Sequence, residues 1–516
     1  MSSIDEIWNR LDTAMETALS EPLVAKFTSE PQRAARLGVD TAGIHFDFAK
    51  THLDAGVVDA FCGLADAAEF DTWREKLLTG SEINLTETRA ATHTAERGTG
   101  NAADVAAARD ARETMKALYG RVADGAFGAI DRVIHIGIGG SFLGPALLID
   151  ALPKTGPVPD VRIVSNIDAV ALERTLQGAD PDRTLVVTVS KSFTTLETMM
   201  NMESCLAALE EMGGTAVRSR LVAVTAAPDK AEGFGVDPQN ILPFAETVGG
   251  RYSLWTGVSL AAALALGWDA FEDVLAGAAA MDRHFAEAPL GKNAPALGAM
   301  MDLGYSSLVG AESRAVFAYD ERLRLLPDFL QQLETESNGK RVDRNGRPLT
   351  RASSPIVWGG VGTDAQHAVF QMLHQGTHLV PTEFLAVVAP GHGLGGEHHR
   401  QLLANCIAQG AALMRGRSYD EAMNDAGDSA MAQAKTFEGG RPSSTILLDR
   451  LDARTLGALI AFYEHRTFSF GAFLGINSFD QMGVELGKEV ARTIAGGDLG
   501  DLDASSRDLL SRAGIS

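Results

Sequence analysis

Short runs rich in valine and isoleucine, each followed by a loop and then a helical stretch, recur twice along the chain. Strands that are apolar throughout, rather than alternating, belong to parallel sheets covered by helices on both faces. In the first series VIHIGIGG leads into FLGPALLIDAL, VRIVSN precedes AVALERTL, TLVVTVS leads through KSFTT into LETMMNMESCLAALEEM, and LVAVTA follows. The second begins near Ser313: AVFAYD, PIVWGG and FLAVVAP each precede a helical stretch. The expectation is α/β, two doubly wound units joined by helices between about 255 and 310. Residues 1–90 read as a charged, amphipathic helical arm with few strand signals. KRVDRNGRPLT, Lys340 to Thr350, reads as a hairpin turning at Asn345-Gly346.

Composition narrows the partners. The 516 residues are 45% hydrophobic and 22% charged, as in a globular protein. A net charge of -22 argues against nucleic acid or an anionic membrane as main partner, so a phosphate site must be a local basic pocket. The cysteines Cys62, Cys205 and Cys406 show neither a disulfide framework nor a zinc spacing, which points to a reducing cytoplasm. The N-terminus has no signal-peptide core, and the apolar run Tyr252–Trp268 is short for a membrane span and reads as a buried helix.

In open α/β sheets ligands bind beyond the C-terminal strand ends, so the loops there carry the chemistry. GIGGSFLG, Gly137 to Gly144, can admit a phosphate or sugar or be only a tight turn; Phe142 stands where a dinucleotide fingerprint needs glycine. Ser190 to Thr195, SKSFTT, gathers four hydroxyls and one ammonium at a helix start, an anion receptor. A capping box between Thr194 and Glu197 would account for only part of that cluster. In LETESNGK, Glu334 and Glu336 point to different sides of a helix, whereas Gln332 and Glu336 share a face; by spacing alone this is an ordinary polar helix end. His367, Gln371, His374 and His378 follow helical spacing, but no carboxylate or cysteine completes a metal site, and HGLGGEHH reads as a surface loop. Gln481, Glu485 and Lys488 fall on one helical face, by itself a solvated salt-bridge face.

Taken together, GIGGS, SKSFTTLET, GGRYSLW, QQLETESNGK, GTDAQHAVFQMLHQGT and SFDQMGVELGK, with NLTETRAATHTAER (Asn84 to Arg97), resemble the phosphoglucose isomerase family in order over nearly the whole chain. The resemblance implies two sugar-isomerase (SIS) type domains, with an arm at 1–90, the first domain at 91–265, the second at 266–490 and a tail at 491–516. It implies that Glu336 is the catalytic base, that His367 and Lys488 serve ring opening, and that Arg251 lies near the developing enediolate. Gly140, Ser141, Ser190, Lys191, Ser192, Thr194 and Thr195 match substrate-binding positions, the SKSFTT residues taking the phosphate; Gln332 and Gln481 match sugar-contacting glutamines. Leu196, Met482 and Asp364-Ala365 depart from the animal enzymes without removing a catalytic group.

The implied reaction, glucose 6-phosphate to fructose 6-phosphate, needs no metal and no nucleotide cofactor. A homodimer with His367 supplied across the interface is also implied. A non-catalytic sugar-phosphate sensor would keep the SKSFTT receptor without needing Glu336, His367 and Lys488 together, and a dehydrogenase would need the missing nucleotide fingerprint.

Overall fold

The computed structural model describes residues 4–154, 156, 158–497, 500 and 502–515. They fall into two compact units, Met1–Ser478 and Phe479–Ser516.

The first unit holds both expected parallel sheets. One has five strands, in spatial order Asp160–Val164, Arg132–Ile136, Thr184–Val189, Leu221–Thr225 and Ile241–Pro243, with every neighbouring pair parallel. Numbered along the chain this order is 2-1-3-4-5, which places its switch point between Arg132–Ile136 and Thr184–Val189. Thr184–Val189 is buried at every position, as a strand covered on both faces must be. Ile134, Val186 and Ala223 pack with Met202, Leu206 and Leu209 of the covering helix Leu196–Glu211.

The second sheet has six strands. Ser443–Leu448, Thr382–Val387, Ser313–Tyr319 and Ile356–Val361 are parallel, with Phe317, Phe370 and Phe384 in the core beneath. Its other two strands come from the N-terminal arm: Gly38–Thr41 and Ile44–Asp47 form a hairpin whose second strand adds antiparallel to Ser443–Leu448. The arm's sequence carries few strand signals. The two strands are four residues each, and the turn between them uses Ala42 at φ 52° and Gly43 at φ 75° rather than an Asn-Gly signal.

Ala453–Leu474 runs through the interior with Thr455 to Phe473 all buried. It lies close against Trp268–Glu287 because Gly457 and Gly277 leave room; a methyl group on either would overlap the facing carbonyl, Val274 or Arg454. Its Arg466 pairs with Asp302 and Glu383, and Arg314 pairs with Glu383 and Glu334, so these buried charges are mutually compensated. The run from Tyr252 folds into short 3₁₀ turns and the buried helix Leu260–Leu266. Among the described residues no helix is long and apolar enough to cross a membrane.

In the second unit a 3₁₀ turn, Met482–Val484, precedes the helices Glu485–Ala495 and Ala504–Arg512. Gln481 therefore lies outside the helix, at φ -151° and ψ 50°, and does not share the helical face expected for it with Lys488.

Candidate active site

Both loops at the switch point are built as their residues demand. After Arg132–Ile136 the chain turns at Gly139, whose φ of 58° and ψ of -125° suit glycine alone, and enters the helix Gly140–Ala151. A side chain on Gly140 would clash with the Gly250 carbonyl and come within 2.5 Å of the Arg251 amide nitrogen. A Cβ on Gly139 would lie 2.9 Å from Gln332 Nε2. The glycines thus bring this loop, with half-buried Gly140 and Ser141, against both the Arg251 backbone and the Gln332 side chain. From beneath, the buried His135 ring bonds the Ser141 carbonyl through Nε2 at 2.7 Å.

The second loop follows Thr184–Val189. Phe193 takes a left-handed conformation, φ 49°, and buries its ring at 4% exposure. Such a backbone is strained for a bulky residue, and core burial of the ring holds it. The hydroxyls around it bond one another: Ser190 Oγ donates to Thr195 Oγ1 at 3.1 Å, and Thr194 Oγ1 to Ser192 Oγ at 2.8 Å. The helix starts at Leu196 with Thr195 as N-cap and no side-chain capping bond, so the Thr194–Glu197 capping box does not form. That leaves the amides of the first helical turn without intrahelical partners at the mouth of the loop.

Lys191 Nζ donates to the carbonyls of Glu246 and Val248, at 2.5 and 3.2 Å. An ammonium has three donors, so one remains for a ligand. Burial, reinforced by the nearby Arg89 charge, holds Lys191 down to about 8, with Glu87 and Glu246 opposing.

Glu336 sits in the helix Leu326–Asn338, its side chain 22% exposed. Gln332 Nε2, one turn earlier, donates to Oε2 at 2.8 Å, and Arg251 Nη1 donates to Oε1 at 3.1 Å. Arg251, 4% exposed, is fixed from two other directions: Nε donates to Ser337 Oγ at 2.7 Å and Nη2 to the Ser478 carbonyl at 2.7 Å. Tyr252 OH also bonds Ser337 Oγ, at 2.9 Å. Glu334 turns the other way into the Arg314 cluster, as the helical spacing required. Ser337, Tyr252 and the Ser478 carbonyl were not singled out by the sequence; for the first two, adjacency to Glu336 and Arg251 was the only signal.

His367 occupies an exposed position on the helix Gly362–Gln375 and, with Phe370 and His374, lines a cavity of about 420 Å³. Neither Glu336 nor Arg251 borders it. His378 falls beyond Gly376, which ends the helix, and so leaves the face expected for it. In HGLGGEHH only the first part is loop, since a helix starts at Gly396. Among the described residues no three histidine, cysteine or acidic side chains are grouped as metal ligands. In the second unit Lys488 Nζ pairs with Glu485 Oε1 at 2.9 Å.

This arrangement offers an anion receptor, a carboxylate held in place, and a guanidinium beside it that cannot give up its proton. A family model described as phosphoglucose isomerase matches residues 47–510. The chain is 54% identical over 513 residues to a glucose-6-phosphate isomerase of Rhizorhabdus wittichii, covering 99% of this chain and 100% of that protein. It is 49% identical to one of Zymomonas mobilis, covering 99% and 98%. The crystal structure of a glucose-6-phosphate isomerase from Chlamydia trachomatis superposes with a TM-score of 0.87 at 32% identity, covering 98% of each chain.

Proposed function

The chain belongs to the phosphoglucose isomerase family and interconverts glucose 6-phosphate and fructose 6-phosphate in glycolysis and gluconeogenesis, and we propose that Glu336 carries the proton between C2 and C1. The observation that carries this reading is the placement of Glu336: one carboxylate oxygen on Gln332, the other on a buried Arg251.

The phosphate is received by Ser190, Lys191, Ser192, Thr194 and Thr195, with Gly140 and Ser141 lining the sugar side. Binding energy from that remote group fixes C1 and C2 against Glu336. The carboxylate takes the C2 proton and returns it to C1, while Arg251 stabilises the negative oxygen of the enediolate. Gln332 holds the base, and Gln481 contacts the sugar. His367 and Lys488 exchange the protons of ring opening. Neither metal nor nucleotide enters these steps.

The exposed position of His367, on a cavity that Glu336 does not border, supports a homodimer in which each subunit lends this histidine to its neighbour. Three free thiols fit a cytoplasmic enzyme. The division at 1–90, 91–265, 266–490 and 491–516 is part of the same reading. In its favour, the five-stranded sheet lies wholly within the second segment and the parallel strands of the other within the third.

Glu336→Gln tests the assignment of the base. In D₂O the wild-type protein is expected to erase the C2 proton signal of glucose 6-phosphate. The variant should lose roughly 10²–10⁴-fold in both exchange and turnover; undiminished turnover would remove Glu336 from the mechanism. Co-expressing His367→Ala with Glu336→Gln subunits should restore activity through heterodimers with one intact site, and no restoration would contradict the shared site.

A further inference from the structure

We propose that the cavity between the helix Ala102–Ala123 and the segment 243–247 binds a small organic ammonium ion, with Glu96 as its ion-pairing group. The space is about 450 Å³, within the range of small-molecule sites. The methyls of Ala107, Ala108 and Ala111 and the ring of Phe244 supply apolar walls, and Glu96 reaches the space from the turn Ala95–Arg97.

Glu96 belongs to the Asn84–Arg97 motif, yet none of the steps proposed above uses it. It is only 5% exposed, and its carboxyl accepts no hydrogen bond from any described residue. A buried polar group left in that state is costly unless something pairs with it. Burial pushes its carboxyl up to about 7, and the charge of Arg112 offsets this only in part. Arg112 directs Nη2 to the Glu96 main-chain carbonyl instead, at 3.1 Å, and lines only a smaller adjoining space. At the cavity itself Asp104 and Asp110 add negative potential while engaged with Asn101 and Arg109.

A metal ion would need several converging oxygen ligands; here the hydroxyls of Thr92 and Thr247 bond each other and that of Thr114 bonds the Asp110 carbonyl, which leaves one unengaged carboxylate among methyls and a phenyl ring. An ammonium carried on an apolar body matches both: the charge neutralises Glu96, and the carbon skeleton displaces water from the walls.

Titration calorimetry of the full chain at neutral pH decides the matter, with cyclohexylammonium as probe and cyclohexanol as its uncharged counterpart. The ammonium should bind saturably, at least roughly tenfold tighter than the alcohol, and Glu96→Gln should remove that advantage. Ala107→Phe, on the exposed rim, should abolish binding of both by filling the space. Retained isomerase turnover verifies that each variant is folded, because neither residue takes part in the reaction. Equal affinity for ammonium and alcohol, undiminished ammonium binding by Glu96→Gln or Ala107→Phe, or no saturable binding by the wild type would overturn the site. Should Glu96→Gln fail to fold, the two probes and the Ala107→Phe variant still decide.

Discussion

Arg251 Nη1 lies 3.1 Å from Glu336 Oε1, although 85 residues separate the two in the chain. The guanidinium cannot drift from this position, because Ser337 Oγ and the Ser478 carbonyl hold its other nitrogens. A positive group fixed in a protected site needs no rearrangement when negative charge develops beside it.

Arg251→Lys separates charge from geometry. Lysine keeps the charge but loses the planar fork that reaches Glu336, Ser337 and the Ser478 carbonyl together. The expected outcome is a kcat lowered by roughly 10²–10³-fold, with a smaller change in KM. Steady-state kinetics checks it; a kcat within about twofold of wild type would mean that Arg251 does not act on the transition state.

Gly140→Ala tests the contact that joins the glycine loop to Arg251. The added methyl meets the Gly250 backbone, so one of the two segments must shift. We expect a loss of about 1–3 kcal/mol in stability and at least roughly tenfold in kcat, since small displacements near a reacting centre are expensive. Gly250→Ala is the control for stability: a Cβ there meets nothing within 4 Å, and its effect should stay within about 0.5 kcal/mol. Denaturant unfolding of both variants compares them; equal stabilities would contradict the close approach.

The stability of the fold should fall in mild acid, partly through His135. Its ring is fully buried with Nε2 on the Ser141 carbonyl, and burial pushes it down to about 4 despite that bond. Unfolded, a histidine titrates near 6.5. Between these values the unfolded chain binds the extra proton, so stability is complete above about 6.5 and is lost as pH falls towards 4, by ~3 kcal/mol for this group. His135→Gln should flatten the dependence of the urea midpoint on pH across that window by this share. An unchanged slope would show that His135 does not stay neutral in the folded protein.

What was local could be read along the chain. The valine and isoleucine runs became parallel strands because a strand covered on both faces has no polar side to conceal. The two loops after them flank the switch point of the sheet, where neighbouring connections leave in opposite directions. The helical period also sorted Glu334 from Glu336, two residues apart and on different faces. The arm's hairpin carries little local signal because its pairing energy comes from Ser443–Leu448, some four hundred residues away in the chain.

The amino-acid sequence by itself determined the parallel strands buried on both faces, the opposed faces of Glu334 and Glu336 and the hydroxyl-rich turn, because periodicity and turn chemistry act over a few neighbouring residues. Only the tertiary structure decided that Arg251 meets Glu336, that Lys191 leans on the carbonyls of Glu246 and Val248, and that Glu96 lines a cavity. The partner of a buried charge is whatever distant packing brings within a few ångströms, and no spacing along the chain encodes that distance.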